Sequence, residues 1–237
     1  MVEQRTENPC VPSSILGATT IYMNEYYHKS IIEDLVKLKY MRLLCAKKHI
    51  ISNTKKTIND NKKILADLLT FKTQTIVLLH GAKVFYELIK NYHKLPNPQE
   101  IKLSSYVGLG SIGKLTGLEK IKINPKTEKI IIVEDLIDSG NTIKIAVKEI
   151  NKISNNKIKK SDILILTLFN KPKAIRDKEF FKELNIINIF EISNEFIVGF
   201  GLDYNNHFRD ISSVYQVIKI DKFIKYMQKF QKQNLGK

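Results

Sequence analysis

The sequence predicts an α/β fold: a mostly parallel, twisted sheet flanked by helices, with a smaller hood built from the N- and C-terminal segments. Three observations carry this. Short continuous apolar runs recur, as strands buried on both faces require. Between them lie segments whose apolar residues return at helical spacing. The two kinds of segment alternate, which implies right-handed crossovers and parallel pairing.

Taken in order, about residues 57–72 read as a helix, with Ile64, Leu65, Leu68 and Leu69 on one side. "TIVLLHG" (75–81) reads as a short buried strand closed by Gly81, and "AKVFYELIKNYHKL" as the helix after it. "EIKLSSY" (100–106) is a second strand. Gly108, Gly110 and Gly113 punctuate "VGLGSIGKLTG", which is therefore expected to be mobile. "KIIIVED" (129–135) is a third strand, and "NTIKIAVKEINKI" a helix with Ile143, Val147, Ile150 and Ile153 inward. Further strands are expected at 162–169, 186–192 and 214–220, and "DKFIKYMQKFQKQ" closes the chain as an amphipathic helix. Without repeats or linker-like stretches the chain reads as one domain, 1–237, with a core over about 57–180 and a hood from about 1–55 and 181–237.

At 237 residues, 43% of them hydrophobic, the chain can bury a sizeable core. No run approaches the ~18 apolar residues of a membrane span. The N-terminus lacks a signal-peptide pattern. Cys10 and Cys45 form neither a disulfide framework nor a metal-ligand spacing, so a reducing, cytoplasmic setting is expected. The net charge of +15 comes mostly from dispersed lysines, with Arg only at 5, 42, 176 and 209. That favours a generally basic surface drawing in anionic metabolites over a nucleic-acid face, and no nucleic acid is expected as partner.

Sheets of this kind bind ligands beyond the carboxyl ends of their strands. His80-Gly81, Ser105-Tyr106, Glu134-Asp135 and Asn170-Lys171 fall along that edge. In "IIIVEDLIDSGNT" the acidic pair emerges where a buried strand leaves the sheet, and Asp138 follows. Ser139, Gly140, Asn141 and Thr142 then turn into a helix N-terminus. Free backbone N–H groups and the helix dipole make that turn a phosphate cradle, and glycine permits close approach. Carboxylates beside a phosphate need another partner: a sugar diol, or a Mg²⁺ shared with a diphosphate. The stretch is built for a phosphorylated sugar.

"VEDLIDSGNT" resembles the 5-phosphoribosyl-1-diphosphate (PRPP) signature of type I phosphoribosyltransferases, and residues 60–220 resemble the hypoxanthine-guanine phosphoribosyltransferase family. "LLHGAKVFYELI" sits at that family's first pyrophosphate loop, "LSSY" where its lid begins, and "LFNKP" at its purine-selecting lysine. "FIVGFGLDYNNHFRD" matches the C-terminal purine and pyrophosphate segment, the most specific of these likenesses. The resemblance implies the type I phosphoribosyltransferase fold and transfer of a phosphoribosyl group from PRPP to hypoxanthine or guanine. The products are IMP or GMP and pyrophosphate; Mg²⁺ is the cofactor, and the enzyme a homodimer or homotetramer. It gives the ribose hydroxyls to Glu134 and Asp135, the 5′-phosphate to Ser139, Gly140, Asn141 and Thr142, and proton transfer at the purine to Asp138. Lys171 would donate to the 6-oxo group, Phe196 and Leu136 sandwich the ring, and the Ile197 backbone read its edge. Glu134, Asp135 and Asp203 would serve the metal, and His80, Gly81 and Arg209 the pyrophosphate. Ser105 and Tyr106 would begin the lid.

The chain departs from the family at the first loop, where His80-Gly81 replaces a Lys-Gly pair that carries a cis peptide, and at Asn141, where lysine is frequent. Two alternatives accompany the main reading: a xanthine-directed transferase, and a non-catalytic regulator of the same fold that binds PRPP or nucleotide.

Overall fold

A computed structural model describes residues 28–108 and 111–234, without the side chains of 104–115 and 233–234. Its centre is a five-stranded sheet in the order β3-β2-β6-β7-β8, every neighbouring pair parallel. The strands are β2 (Thr73–Leu79), β3 (Pro98–Lys102), β6 (Lys129–Ile137), β7 (Ile163–Asn170) and β8 (Asn185–Glu191). β7 is buried at all eight positions, as a central strand covered on both faces must be.

Alternation along the strands divides the core in two. Val77, Ile131, Val133, Leu164 and Leu166 pack with Ile50 and Ile58 of α2 (Lys47–Asp60), Leu65 of α3 (Lys62–Leu68) and Phe85 of α4 (Gly81–Lys90). Ile76, Ile130, Ile132, Ile163 and Ile165 pack on the other face with α5 (Asn141–Ile153) and with Phe180 and Phe181 of α6 (Lys178–Lys182). Burial of these large side chains contributes roughly 1.5–3 kcal/mol each before entropy is counted.

The hood is a three-stranded antiparallel sheet, β1 (Met41–Cys45), β10 (Val214–Val217) and β9 (Phe196–Val198), in that order. A helix over residues 28–37 (α1) and α7 (Ile220–Asn234) close a third core around Leu35, Phe208, Phe223 and Met227. Of the segments expected in the hood, residues 47–55 lie on α2, and 181–191 on α6 and β8, all packed with the central sheet. Residues 1–27 lie outside the described part.

Other expectations change in detail: Ile64, expected on one side with Leu65 and Leu68, and Ile153, expected inward in the last turn of α5, are both exposed. The single helix at 57–72 is two, broken at Asn61, whose backbone (φ −102°, ψ 15°) leaves the helix while its amide donates to Thr57 O at 2.9 Å. The strand at 100–106 divides into β3 and the start of an antiparallel ribbon, β4 (Ser104–Gly108) with β5 (Ser111–Thr116). The glycine-rich stretch, expected to be mobile, supplies β5, while residues 109–110 lie outside the described part. The strand at 214–220 ends at Val217 because α7 begins at Ile220.

Candidate functional site

The carboxyl ends of β2 and β6 meet the hood loop of residues 199–211 at Gly81, Asp135 and Gly201; the end of β7 runs beside that of β6, and Phe196 and Ile197 lie on β9. On β6, Glu134 is buried and its Oε2 has no hydrogen-bond partner among the described residues. Burial, and then the charge of Asp135, pushes the Glu134 carboxyl well above its ordinary range. Burial raises Asp135 as well, opposed by its bonds to Glu134 and to the Leu136 N–H (3.0 Å to Oδ1) and by Arg209. A buried, unpartnered carboxylate oxygen beside a second carboxylate suits hydroxyl donors or a divalent cation.

The turn after β6 explains its glycine. Gly140 has φ 78°, and a Cβ there would come 2.6 Å from the Phe181 ring. The turn is fastened by Arg176 N–H donating to Ser139 O (3.2 Å). Asn141 and Thr142 open α5, whose first N–H groups have no intrahelical acceptor. A cavity of about 120 Å³ touches Ser139, Gly140 and Asn141 and is also lined by Lys144 and Arg176, cations the motif did not single out. Lys144 Nζ is held by Asp177 Oδ2 at 2.7 Å.

Parallel register sets Ile137 beside Asn170, so the next residues of both chains emerge together. Lys171 N–H donates to Ile137 O (2.9 Å), and Lys171 Nζ lies 3.2 Å from Asp138 Oδ2. The lysine side chain is 6% exposed and the aspartate 55%. The pair therefore joins a buried cation to a carboxylate open to solvent.

The first loop is where the chain is most crowded. The Leu79–His80 peptide is cis. A Cβ on Gly81 would fall 1.6 Å from Asp135 Oδ2, and one on Gly201 would fall 2.5 Å from Gly81 O. Two glycines thus let the first loop, the acidic pair and the hood loop meet; Gly201 was quoted in a motif but not singled out, since only the fold brings it to Gly81. Burial lowers the His80 pKa, and the positive charges of Arg209 and Lys102 lower it further against Asp203.

On the hood loop, Arg209 Nη2 lies 2.7 Å from Asp203 Oδ1 and its Nη1 donates to Gly201 O (3.1 Å). Asp203 Oδ2 accepts from Asn206 N–H (2.7 Å), so both its oxygens are engaged. Among the described residues, no three His, Cys, Asp or Glu side chains are gathered to hold a metal ion, so Asp203 does not join Glu134 and Asp135 in a preformed triad.

Phe196 and Ile197 sit on β9, which among the described residues has a neighbouring strand on one side only. Phe196 meets Tyr204 and Phe223 edge-on, Ile197 is buried, and partly buried Leu136 of β6 packs against the core cluster that includes Ile197. Ser105 and Tyr106 lie on β4, and their side chains fall outside the described part.

Residues 70–205 match the model of the phosphoribosyl transferase domain family. The chain is 33% identical over 175 residues to a hypoxanthine-guanine phosphoribosyltransferase of Streptococcus pyogenes, a match spanning 73% of this chain and 91% of the relative. Its fold is similar to that of a hypoxanthine phosphoribosyltransferase from Staphylococcus aureus (TM-score 0.57, 19% identity, 77% of this chain and 94% of that one). It is similar, too, to the Trypanosoma cruzi hypoxanthine phosphoribosyltransferase in complex with the product IMP (TM-score 0.53, 17% identity, 74% and 92%).

Proposed function

The chain belongs to the hypoxanthine-guanine phosphoribosyltransferase family, a family of phosphoribosyltransferase enzymes, and from that premise we propose that it transfers the 5-phosphoribosyl group of PRPP to hypoxanthine or guanine, forming IMP or GMP and pyrophosphate. The observation that carries this base choice is the buried Lys171 ammonium 3.2 Å from Asp138. A fixed cation donates to a 6-oxo acceptor and has nothing to accept from the 6-amino group of adenine. Asp138, its exposed partner, takes the proton that the purine nitrogen loses as it bonds to C1′.

The remaining roles follow from the charge and hydrogen-bonding capacity of each group. Ribose hydroxyls donate to Glu134 and Asp135, supplying the bond that Glu134 Oε2 lacks. The 5′-phosphate accepts from the N–H groups of the 139–142 turn, helped by the dipole of α5. Arg209 and the amides at His80-Gly81 bind the leaving pyrophosphate, whose charge grows as the C1′–O bond breaks. Glu134 and Asp135 would hold Mg²⁺, which when bound would offset that developing charge. Leu136 and Phe196 cover the two faces of the base, and the β9 backbone at Ile197 reads its edge. The strand pair that begins at Ser105 and Tyr106 closes over the centre and keeps water away.

A cytoplasmic homodimer or homotetramer belongs to the same proposal and rests on family membership; gel filtration reads the assembly. Among the described residues no helix is long and apolar enough to cross a membrane. The test of function is nucleotide formation from PRPP with Mg²⁺ and each of hypoxanthine, guanine, xanthine and adenine. Turnover of xanthine alone would move the base specificity. PRPP binding without turnover of any base would replace the enzyme with a regulator.

A further inference from the structure

The loop carrying Asp203 and Arg209 has little regular structure to hold it. Phe200, Asn205, Asn206 and Phe208 all have positive φ (52°, 50°, 66° and 76°), a region costly for residues with a Cβ. Internal bonds help: Gly201 N–H donates to Arg209 O (2.9 Å), and Tyr204 and His207 exchange bonds of 3.1 and 3.0 Å. The rest of the support comes from the two ends of the described chain. Phe208 is fully buried among Ile31, Ile32 and Leu35 of α1 and Phe223 and Met227 of α7. Above it runs a polar relay. Asp210 Oδ1 lies 2.5 Å from His28 Nδ1, His28 Nε2 lies 3.3 Å from His207 Nδ1, and His207 Nε2 lies 3.2 Å from Gln231 Nε2. The other oxygen of Asp210 is buried with no hydrogen-bond partner among the described residues, so the direction of this carboxylate depends on His28.

Arg209 is thus pinned on both sides, by Phe208 before it and Asp210 after it. Apolar packing alone would hold the hood together at lower desolvation cost, because buried polar chains stabilise little and chiefly select one geometry. His28, His207, Asp210 and Gln231 all lie outside residues 70–205, the part matched by the family model.

We propose that His28, His207 and Gln231 are positioning residues for Arg209: α1 and α7 clasp the hood loop so that its guanidinium is aimed where pyrophosphate binds. This rests on the proposed function for the role of Arg209, and deepens it by giving the terminal helices a part in PRPP binding. The clasp acts through Arg209 only. Weakening it lowers affinity for the pyrophosphoryl group and leaves the purine side alone.

The test uses the full chain with His28→Ala and with His28→Asn, whose side-chain amide can still donate to Asp210. Affinity for magnesium pyrophosphate and for GMP is read by calorimetry, and KM for PRPP against kcat by assay. His28→Ala is expected to weaken pyrophosphate and raise KM for PRPP about tenfold. GMP affinity stays within about twofold, and His28→Asn recovers most of the loss. In an Arg209→Ala background, His28→Ala adds nothing further. If His28→Ala fails to fold, Gln231→Ala is read in its place. Unchanged pyrophosphate affinity in a folded variant, or an equal loss in the Arg209→Ala background, overturns the inference. Failure of the wild type to turn over any base overturns the proposed reaction instead, and leaves pyrophosphate binding to decide the clasp.

Discussion

Two acidic sites face each other across the site, and they are built differently. On the sheet, Glu134 is buried beside the partly buried Asp135, with one Glu134 carboxylate oxygen unpartnered among the described residues. On the hood, both oxygens of Asp203 are taken, by Arg209 and by a backbone N–H. The sheet side stores unmet hydrogen-bonding capacity that a ligand must satisfy. The hood side is already satisfied, and its Arg209 has to share its donors with whatever binds. A rigid strand end can sustain the first arrangement because packing on both faces leaves the chain nowhere to relax; a loop of left-handed residues needs the second.

The comparison breaks most visibly at the sheet side. Asp138→Asn keeps the shape of the carboxylate but removes the base, and kcat should fall by about 10²–10⁴-fold with KM for PRPP little changed. Steady-state kinetics checks this, and a loss confined to KM would contradict it. On the hood side the split is reversed. Arg209→Ala should raise KM for PRPP by roughly 10–100-fold, since a charged partner of pyrophosphate is lost and Asp203 Oδ1 loses its cation. Titration with pyrophosphate reads it directly, and unchanged affinity would remove Arg209 from the site.

Where the two sides touch, Gly81→Ala drives a methyl group into Asp135. Overpacking of this kind costs about 1–3 kcal/mol, so the variant should melt earlier and bind PRPP poorly. The smallest effect sharpens the idea of an unmet acid. The folded-state pKa of Glu134 is raised above its unfolded value of about 4.3. Its contribution is therefore fully present below that value and is lost as pH rises through the folded pKa. Ligand-free protein should lose stability over that window, and Glu134→Gln should flatten the loss and melt higher at neutral pH. Melting curves against pH decide this: parallel curves for the two proteins would mean that Glu134 is not held in its protonated form.

Much of the sheet side was legible because its residues are contiguous. α5 runs over residues 141–153 as the spacing of its isoleucines indicates, and Glu134 to Thr142 occupy one strand end and one turn. Lys171 could be placed because a strand end fixes where the next residue emerges. Residues away from the strand ends were harder to read, for physical reasons. α2 buries only Ile50, Thr54 and Ile58 along one stripe, too sparse a pattern to announce a helix that starts at Lys47. The bond from His28 to Asp210 spans 182 positions, and nothing local in either stretch points to the other. Gly81 and Gly201 look like ordinary turn glycines until the fold shows that a Cβ on Gly81 would meet Asp135 and one on Gly201 would meet Gly81. The cis peptide before His80 is likewise a property of the folded backbone, which the sequence alone does not decide where histidine replaces the family's lysine.

The measurement that bears most directly on the whole account is nucleotide formation by the full chain with PRPP and Mg²⁺, offered hypoxanthine, guanine, xanthine and adenine separately. The buried Lys171 beside Asp138 predicts IMP from hypoxanthine and GMP from guanine, with adenine untouched. Turnover of adenine, or no nucleotide from either hypoxanthine or guanine, would contradict it.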